Sequence, residues 1–420
     1  MISFVFVVLF TNGAFAQCPT GGNYGVNAQE DILYAVDTGY DGRIDSLFLD
    51  IYTPAGDDNA LRPMIIWIHG GGFFRGNKDS FRDICKGFAQ AGYATATISY
   101  RLGFLSPDIG NASPPFSYDD NEPIRAGYRS MQDTKSAIRF LKARHMQDST
   151  DIDHFFLAGA SAGGIAAMTA ANIVHSEDKY AACKQLDAVK IADTTYQRPD
   201  LGPVEGKSNI NGYDSKVEGV ISIFGGLINL DFLSSSYPKH YFLYHQTLDP
   251  IVPCETHNGY WLLPLVKDNY PTISGGCSIS DYFDVHGTGD KVVMPFIVNG
   301  VEHGVHDMEA LLDSIHVFLR TVLCSPVMSN RALSHALSLR VYPQPAGSEV
   351  NIDLPEGIVM ESGSIFDLSG RKIDAISEML IKKANNTLKI DVSDLAIGLY
   401  FIHLKDVENR TYVLKCRIAQ

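Results

Sequence analysis

The segment HFFLAGASAGG, residues 154–164, sets Ser161 between two glycines directly after a short apolar run. A serine hydroxyl attacks poorly at neutral pH. It becomes a nucleophile when a base takes its proton, a third group orients that base, and hydrogen-bond donors receive the oxyanion that forms. The chain offers a candidate for each part. Gly159, Ala160, Ala162 and Gly163 are small enough for the sharp strand-to-helix turn that would expose Ser161. His69-Gly70-Gly71-Gly72-Phe73 follows a second apolar run, and consecutive glycines let backbone N–H groups approach a substrate closely. Gly71 and Gly72, with the N–H of Ala162, are the candidate oxyanion donors. HYFLYHQTLDPIVP (240–253) ends a strand-like run with Asp249 as the candidate orienting acid, with Asp231 and Asp284 as alternatives. VVMPFIVNGVEHGVHD (292–307) offers His303 as the base, with His306 and, before the strand, His286 as alternatives. The chain order serine, acid, histidine is one in which such triads occur. The chemistry requires no metal and no organic cofactor, and the cysteines and histidines lack metal-ligand spacing.

Such groups need a rigid frame. Residues 45–325 alternate strand-like and helix-like runs, which predicts an α/β sheet with helices on both faces. LFLDIYTP (47–54) alternates apolar and polar residues as an edge strand would, while PMIIWIHGGG (63–72) reads as a buried strand meeting a loop. YATATISYR (93–101), HFFLAG (154–159), VEGVISIFGG (217–226), HYFLYHQT (240–247) and VVMPFIV (292–298) supply further strands. Helical spacing marks SFRDICKGFAQAG (80–92), GIAAMTAANIVH (164–175) and HDMEALLDSIHVFLRTVL (306–323). MQDTKSAIRFLKARH (131–145) reads as an amphipathic helix with Ala137, Ile138 and Leu141 on its core side. Residues 176–216 lose periodicity and suggest an insertion over the sheet that contributes to a substrate rim. Phe73, Phe74, Phe104, Tyr260 and Trp261 are candidate pocket walls.

The chain has 420 residues, long enough for two or three domains or one large domain with an appendage. Its net charge of −14, from 34 basic and 48 acidic residues, argues against nucleic acid or an anionic membrane as partner. No run is long enough to span a bilayer. Residues 2–10 are apolar and Ala14-Phe15-Ala16 has small residues where a signal peptidase reads, so residues 1–16 are expected to be a signal peptide, although no Lys or Arg precedes Arg43. Export favours disulfides. Seven cysteines leave at least one without a partner in the chain, and Cys254 and Cys277 are the best candidate pair. After Cys324 the texture changes. Residues 326–340 read as a linker, and 341–420 as short alternating runs separated by turns, predicting a small all-β, Ig-like sandwich.

WIHGGGFFRG (67–76), ISYRLGF (98–104) and GASAGG (159–164) resemble the α/β-hydrolase fold, within the carboxylesterase branch whose oxyanion loop reads HGGGF. QTLDPIVP (246–253) resembles the acid loop of small microbial esterases, among them feruloyl and acetyl-sugar esterases; large type-B carboxylesterases are longer and usually place Glu there. VYPQPAG (341–347), FDLSGRKI (366–373), LAIGLYFIHL (395–404) and Lys415-Cys416-Arg417 resemble the type IX secretion sorting domain of Bacteroidetes, with Gln344 in place of the usual Asn. The resemblance implies an esterase domain over 17–325, with Ser161, His303 and Asp249 as the triad. It implies a small-molecule or polymer-linked ester as substrate, acetyl or feruloyl esters on polysaccharide included. It also implies the type IX machinery as partner, passage across both membranes with loss of the C-terminal domain, and a secreted or cell-surface enzyme. A short-chain lipase or a secreted serine peptidase would use the same fold and triad. A non-catalytic binding module of this fold, and a carbohydrate-binding role for the sandwich, are the readings from other classes.

Overall fold

A computed structural model of the chain describes residue 19 and residues 22–324 except 59–60, 108–115 and 235–237. Beyond Cys324 it describes 340–343, 346–354, 360–366, 372–373, 387–406 and 411–418. The expected signal peptide, the linker up to residue 339, Gln344 and residues 367–371 of FDLSGRKI lie outside the described residues. The chain divides into two compact units whose main boundary falls after Cys324.

In the first unit, the apolar runs pair into one eight-stranded sheet. In chain order the strands are β1 (Gly25–Thr38), β2 (Ile44–Ala55), β3 (Arg62–Ile68), β4 (Ala94–Ile98), β5 (Thr150–Ala160), β6 (Gly219–Ile223), β7 (His240–Gln246) and β8 (Val292–Val298). Side by side they run β1-β2-β4-β3-β5-β6-β7-β8. β2 is antiparallel to both of its neighbours, and every pairing from β4 across to β8 is parallel. β3, β6 and β7 are buried at every residue, because a strand covered on both faces has no solvent side. The covering helices are α1 (Arg82–Gln90), α2 (Asn121–Ala143), α3 (Ala162–Asn172), α4 (Gly276–His286) and α5 (Met308–Cys324). Parallel strands all deliver their following loops to one edge of the sheet, where ligands of open α/β sheets bind. The glycine loop follows β3, Ser161 follows β5, Asp249 follows β7 and His303 follows β8.

Two expectations are corrected here. Residues 47–54 do not form an edge strand: β1 pairs with β2 from outside. β1 is hard to see in the sequence because its register slips between Gln29 and Ile32 and again between Leu33 and Ala35, which breaks the period of two. The helix expected over 131–145 begins at Asn121, and its polar side is buried as well as its apolar side. Residues of the 176–217 region cover it and pair its charges, as burial of charge demands. Lys135 and Arg139 bond the Glu205 carboxylate, and Lys142 bonds Asp214 and the carbonyl of Lys216. Arg125 donates to the carbonyls of Ala182, Lys184 and Pro199.

Cys254 and Cys277 form a disulfide, and Cys324 is also disulfide-bonded. Among the described residues no helix is long and apolar enough to cross a membrane.

In the second unit, strands Arg340–Tyr342, Glu349–Asp353 and Thr387–Asp391 make one antiparallel sheet. Strands Lys372–Ile373, Met360–Phe366, Gly398–Asp406 and Thr411–Ile418 make another. Inward residues of both, including Val350, Ile352, Ile365, Leu388 and Ile402, share one apolar cluster, which is the organisation of a small β-sandwich.

Candidate active site

Ser161 makes the whole turn between β5 and α3. Its backbone lies at φ 56°, ψ −123°, a strained conformation that costs about 1–3 kcal/mol and persists only where the surroundings enforce it. They do so here: the Ser161 N–H donates to the Ile223 carbonyl at 2.9 Å. The turn also sits so close to β3 that a Cβ on Gly163 would fall onto the Ile68 and His69 carbonyls. A larger residue at 163 would push the turn off the sheet.

The two partners reach Ser161 from the loops after β7 and β8. His303 Nε2 lies 2.7 Å from Ser161 Oγ, and His303 Nδ1 lies 2.7 Å from Asp249 Oδ2. Asp249 is fully buried, and burial alone would raise its carboxyl pKa. Hydrogen bonds from His245 and His303 and from the Ile251 N–H outweigh that, and hold it below the usual carboxylate range. The Ile251 and Val252 N–H groups donate to Oδ1 at 2.8 and 3.1 Å. An ionised carboxylate only accepts, so His303 Nδ1 carries the proton and Nε2 presents its lone pair to the Ser161 hydroxyl. The imidazole is 20% exposed and rests edge-on against Phe224, with ring centroids 4.8 Å apart.

The alternatives lie elsewhere. His306 is exposed, and its backbone N–H donates to the Tyr244 hydroxyl. His286 ends α4, exposed and stacked on Tyr282. Asp231 is exposed in the short turn Leu230–Ser234, and Asp284 is exposed on α4.

A small cavity of about 80 Å³ opens beside Ser161. Gly72, at φ 62°, lines it together with Ala162, whose N–H is the first of α3 and has no acceptor within the helix. Gly71 is not part of that lining; its carbonyl accepts the N–H groups of Phe74 and Arg75 and closes the glycine turn. His69 braces the loop from beneath. Its buried Nδ1–H donates to the Gly70 carbonyl at 2.7 Å and its ring stacks on Tyr100 at 4.3 Å. Burial holds its pKa below the ordinary histidine value, so the imidazole is neutral at pH 7. The remaining cavity walls are apolar. α2 contributes Ile124 and Tyr128, α3 contributes Ile165, the loops contribute Ile228 and Ile251, and the short strand Thr272–Ser274 contributes Ile273. Of the aromatic residues named from sequence, Phe73 and Tyr260 line the cavity, while Phe74 and Phe104 pack edge-to-face on each other. Trp261 stacks on His257 and donates Nε1–H to the Asp249 carbonyl. Tyr180 brings the 176–216 segment into the wall.

Three positioning residues gave no signal in the sequence. Gln246, at the end of β7, holds the histidine loop on both sides of His303. Its Nε2 donates to the Gly304 carbonyl and its Oε1 accepts the Glu302 N–H. His245 is fully buried; its Nδ1 accepts the Gly276 N–H, so Nε2–H donates to the Val252 carbonyl and lies 3.6 Å from Asp249 Oδ2. Phe224 is the third. Each touches the site through tertiary approach, which adjacency along the chain does not reveal.

The sheet, the strained serine turn and the hydrogen-bonded serine, histidine and aspartate define the α/β-hydrolase class. Residues 49–107 match the family described as BD-FAE, and residues 340–418 match the secretion system C-terminal sorting domain. The two matches fall in separate units of the chain, the first within the eight-stranded sheet and the second over the small β-sandwich. The chain is similar to juvenile hormone esterase of Tribolium castaneum, 27% identical over 155 residues that cover 34% of this chain and 24% of that protein. It is also similar to Carboxylesterase 3 of Pongo abelii, 32% identical over 124 residues, 29% of this chain and 19% of that protein. The matched stretches therefore span about a quarter or less of these relatives' length. Among solved structures, a truncated form of a carbohydrate esterase from gut microbiota superimposes with TM-score 0.46 at 17% identity, over 74% of this chain and all of that one.

Proposed function

We propose that the first unit, residues 17–325, is an exported serine carboxylesterase. One observation carries this reading: the unbroken run of 2.7 Å contacts from Asp249 to His303 to Ser161. Ser161 Oγ attacks the ester carbonyl carbon as His303 Nε2 takes its proton. Asp249 keeps the imidazole in the tautomer that can do so, and its charge stabilises the imidazolium. The N–H groups of Gly72 and Ala162, with Gly71 completing the loop, receive the tetrahedral oxyanion; one such donor is worth about 100- to 1000-fold in rate. His303 then protonates the leaving alcohol, and water attacks the acyl-serine by the same route to release the acid. No step calls for a cofactor.

The cavity beside Ser161 bears on the acyl group. Its volume of about 80 Å³ and isoleucine-rich wall suit a short aliphatic chain such as acetyl. An aromatic feruloyl group is less well matched to that wall than a short acyl chain. We assign the alcohol side to a small-molecule or polymer-linked sugar. We assign residues 1–16 to a signal peptide and 341–420 to the segment read by the type IX machinery and removed on export across the outer membrane. The mature enzyme is then secreted or held at the cell surface.

The test is hydrolysis of a chromogenic acetate by the full chain beside its Ser161→Ala variant. Turnover that vanishes in the variant supports the esterase; equal turnover in both removes Ser161 from the reaction. A feruloyl ester cleaved faster than acetate would overturn the acyl assignment.

A further inference from the structure

On the opposite side of α2 from the ester cavity lies a second one of about 290 Å³, polar and rich in arginine. Arg101, Arg125, Arg129 and Arg198 all line it, and each is more than nine-tenths buried. Two of them are neutralised. Arg101 pairs with Asp133 at 2.8 Å and Asp37 at 3.3 Å, and Arg198 with Asp119 at 2.7 Å and Glu122 at 3.5 Å. Asp200, also on the wall, is taken by Lys179 at 2.5 Å. Arg125 and Arg129 have no ion-pair partner among the described residues. Arg125 is held by three backbone carbonyls, which accept hydrogen bonds and leave its charge standing. Arg129 is barer still. Among the described residues its guanidinium makes one hydrogen bond, from Nη2 to the Gly103 carbonyl, and its buried Nε has no partner. Burial and the charge of Arg101 push Arg129 down to about 10, so it stays cationic at neutral pH. The Glu122 carboxylate acts on the charges of both Arg125 and Arg129 but is shared with Arg198, which it pairs at 3.5 Å. Buried guanidinium groups with no ion pair of their own suit an external anion, and their planar donors fit a carboxylate or phosphate.

The rest of the wall separates those two. A cavity of this size exceeds a lone inorganic ion and matches a small organic ligand. Asp37, Glu122 and Asp200 line it too, and these carboxylates repel a dianion while accepting hydrogen bonds from hydroxyl groups. We propose that this cavity is a binding site for a hydroxylated monocarboxylate of the sugar-acid class, its carboxylate held by Arg129 and Arg125 and its hydroxyls by the acidic wall. The site is distinct from the ester cavity and does not depend on the esterase reading.

The test is calorimetric titration of the full chain with galacturonate, galactose and inorganic phosphate, with acetate-ester turnover measured on the same preparations. Galacturonate is expected to bind at one site, and galactose and phosphate at least about tenfold more weakly. Arg129→Gln is expected to lower galacturonate affinity by about tenfold or more. Lys207→Glu, an exposed charge on the rim, should lower it several-fold with the melting temperature unchanged. If Arg129→Gln does not fold, the Lys207→Glu result decides. The proposal is overturned if galacturonate gives no binding, if galactose or phosphate binds as well, or if Lys207→Glu or a folded Arg129→Gln binds like the wild type. Because binding and turnover are read separately, loss of one leaves the other standing.

Discussion

Asp249→Asn changes one atom and should remove the base without moving it. Asp249 Oδ1 accepts the N–H groups of Ile251 and Val252, so an asparagine must keep its carbonyl oxygen there. Its NH2 then occupies the Oδ2 position, 2.7 Å from His303 Nδ1. Two donors cannot face each other at that distance, so the imidazole moves its proton to Nε2. The base now presents N–H to Ser161 and can no longer take the serine proton. The same exchange in another serine hydrolase lowers kcat about 10⁴-fold, which is about 5.4 kcal/mol of barrier. KM for a chromogenic acetate should stay close to wild type, because the cavity walls are untouched. Stability gives an independent readout. The Asp249 pKa is depressed on folding, so its contribution is present above the ordinary 3.8 and is lost as pH falls through the lower folded value. The melting-temperature gap between wild type and variant should therefore close only in strong acid. A fall in kcat below about tenfold would refute the assignment; a large fall in Asp231→Asn or Asp284→Asn instead would relocate the acid.

Gln246→Ala removes both hydrogen bonds that hold the loop around His303. At about 0.5–1.5 kcal/mol each, kcat should fall by about five- to 160-fold with KM little changed; an equal rise in KM would show that the loop binds substrate instead. Ile124→Ala enlarges the ester cavity and should shift the kcat/KM ratio of butyrate to acetate upward by about tenfold or more; an unchanged ratio would move the acyl group out of this cavity. Glu218→Gln tests a charge pair remote from the site. Burial opposes charge on His154, but the Glu218 carboxylate, 2.6 Å from Nδ1, raises its pKa overall. A raised folded-state value stabilises the protein fully below the ordinary 6.5 and ceases to do so as pH rises through the folded value. The melting-temperature deficit of Glu218→Gln should be largest on the acid side of neutrality and shrink in alkali; a deficit independent of pH would show that the pair does not titrate there.

The catalytic candidates could be read from the chain because each sits at a place where sequence and backbone constrain each other. A serine between two glycines after an apolar run admits few local structures, and Ser161 occupies a left-handed turn that larger neighbours would disrupt. Asp249 and His303 each follow a run whose apolar residues announce a strand. What escaped the sequence has a common cause. Gln246 and His245 act on loops reached only through the sheet, and their positions at the end of an apolar run are equally those of satisfied core polar groups. β1 escaped because two register slips erase its alternation. The glycine loop shows a finer limit. HGGGF marks the loop as a whole, but which N–H faces the cavity depends on backbone angles of 114° at Gly71 and 62° at Gly72, which three identical residues cannot encode separately.

α2 shows why charge is the least legible part of this chain. Lys135, Arg139 and Lys142 recur at the spacing of a solvated helix face, and the ordinary inference is exposure. They are buried because the covering segment brings Glu205, Asp214 and a series of carbonyls to them. Long cationic side chains can bond main-chain oxygens without any periodic signature in the partner, so the covering segment reads as irregular and the helix as exposed. The same physics isolates Arg129. Where the cover supplies carboxylates, the cations are paired; among the described residues, Arg125 receives only carbonyls from it, and Arg129 only the carbonyl of Gly103. One helix therefore presents isoleucine and tyrosine to the ester cavity and, to the cavity behind it, guanidinium groups with no ion pair among the described residues. Arg129 donates to Gly103, whose N–H in turn donates at 2.7 Å to the carbonyl of Phe73, the residue after Gly72. The two cavities are thus joined by two hydrogen bonds and a shared helix.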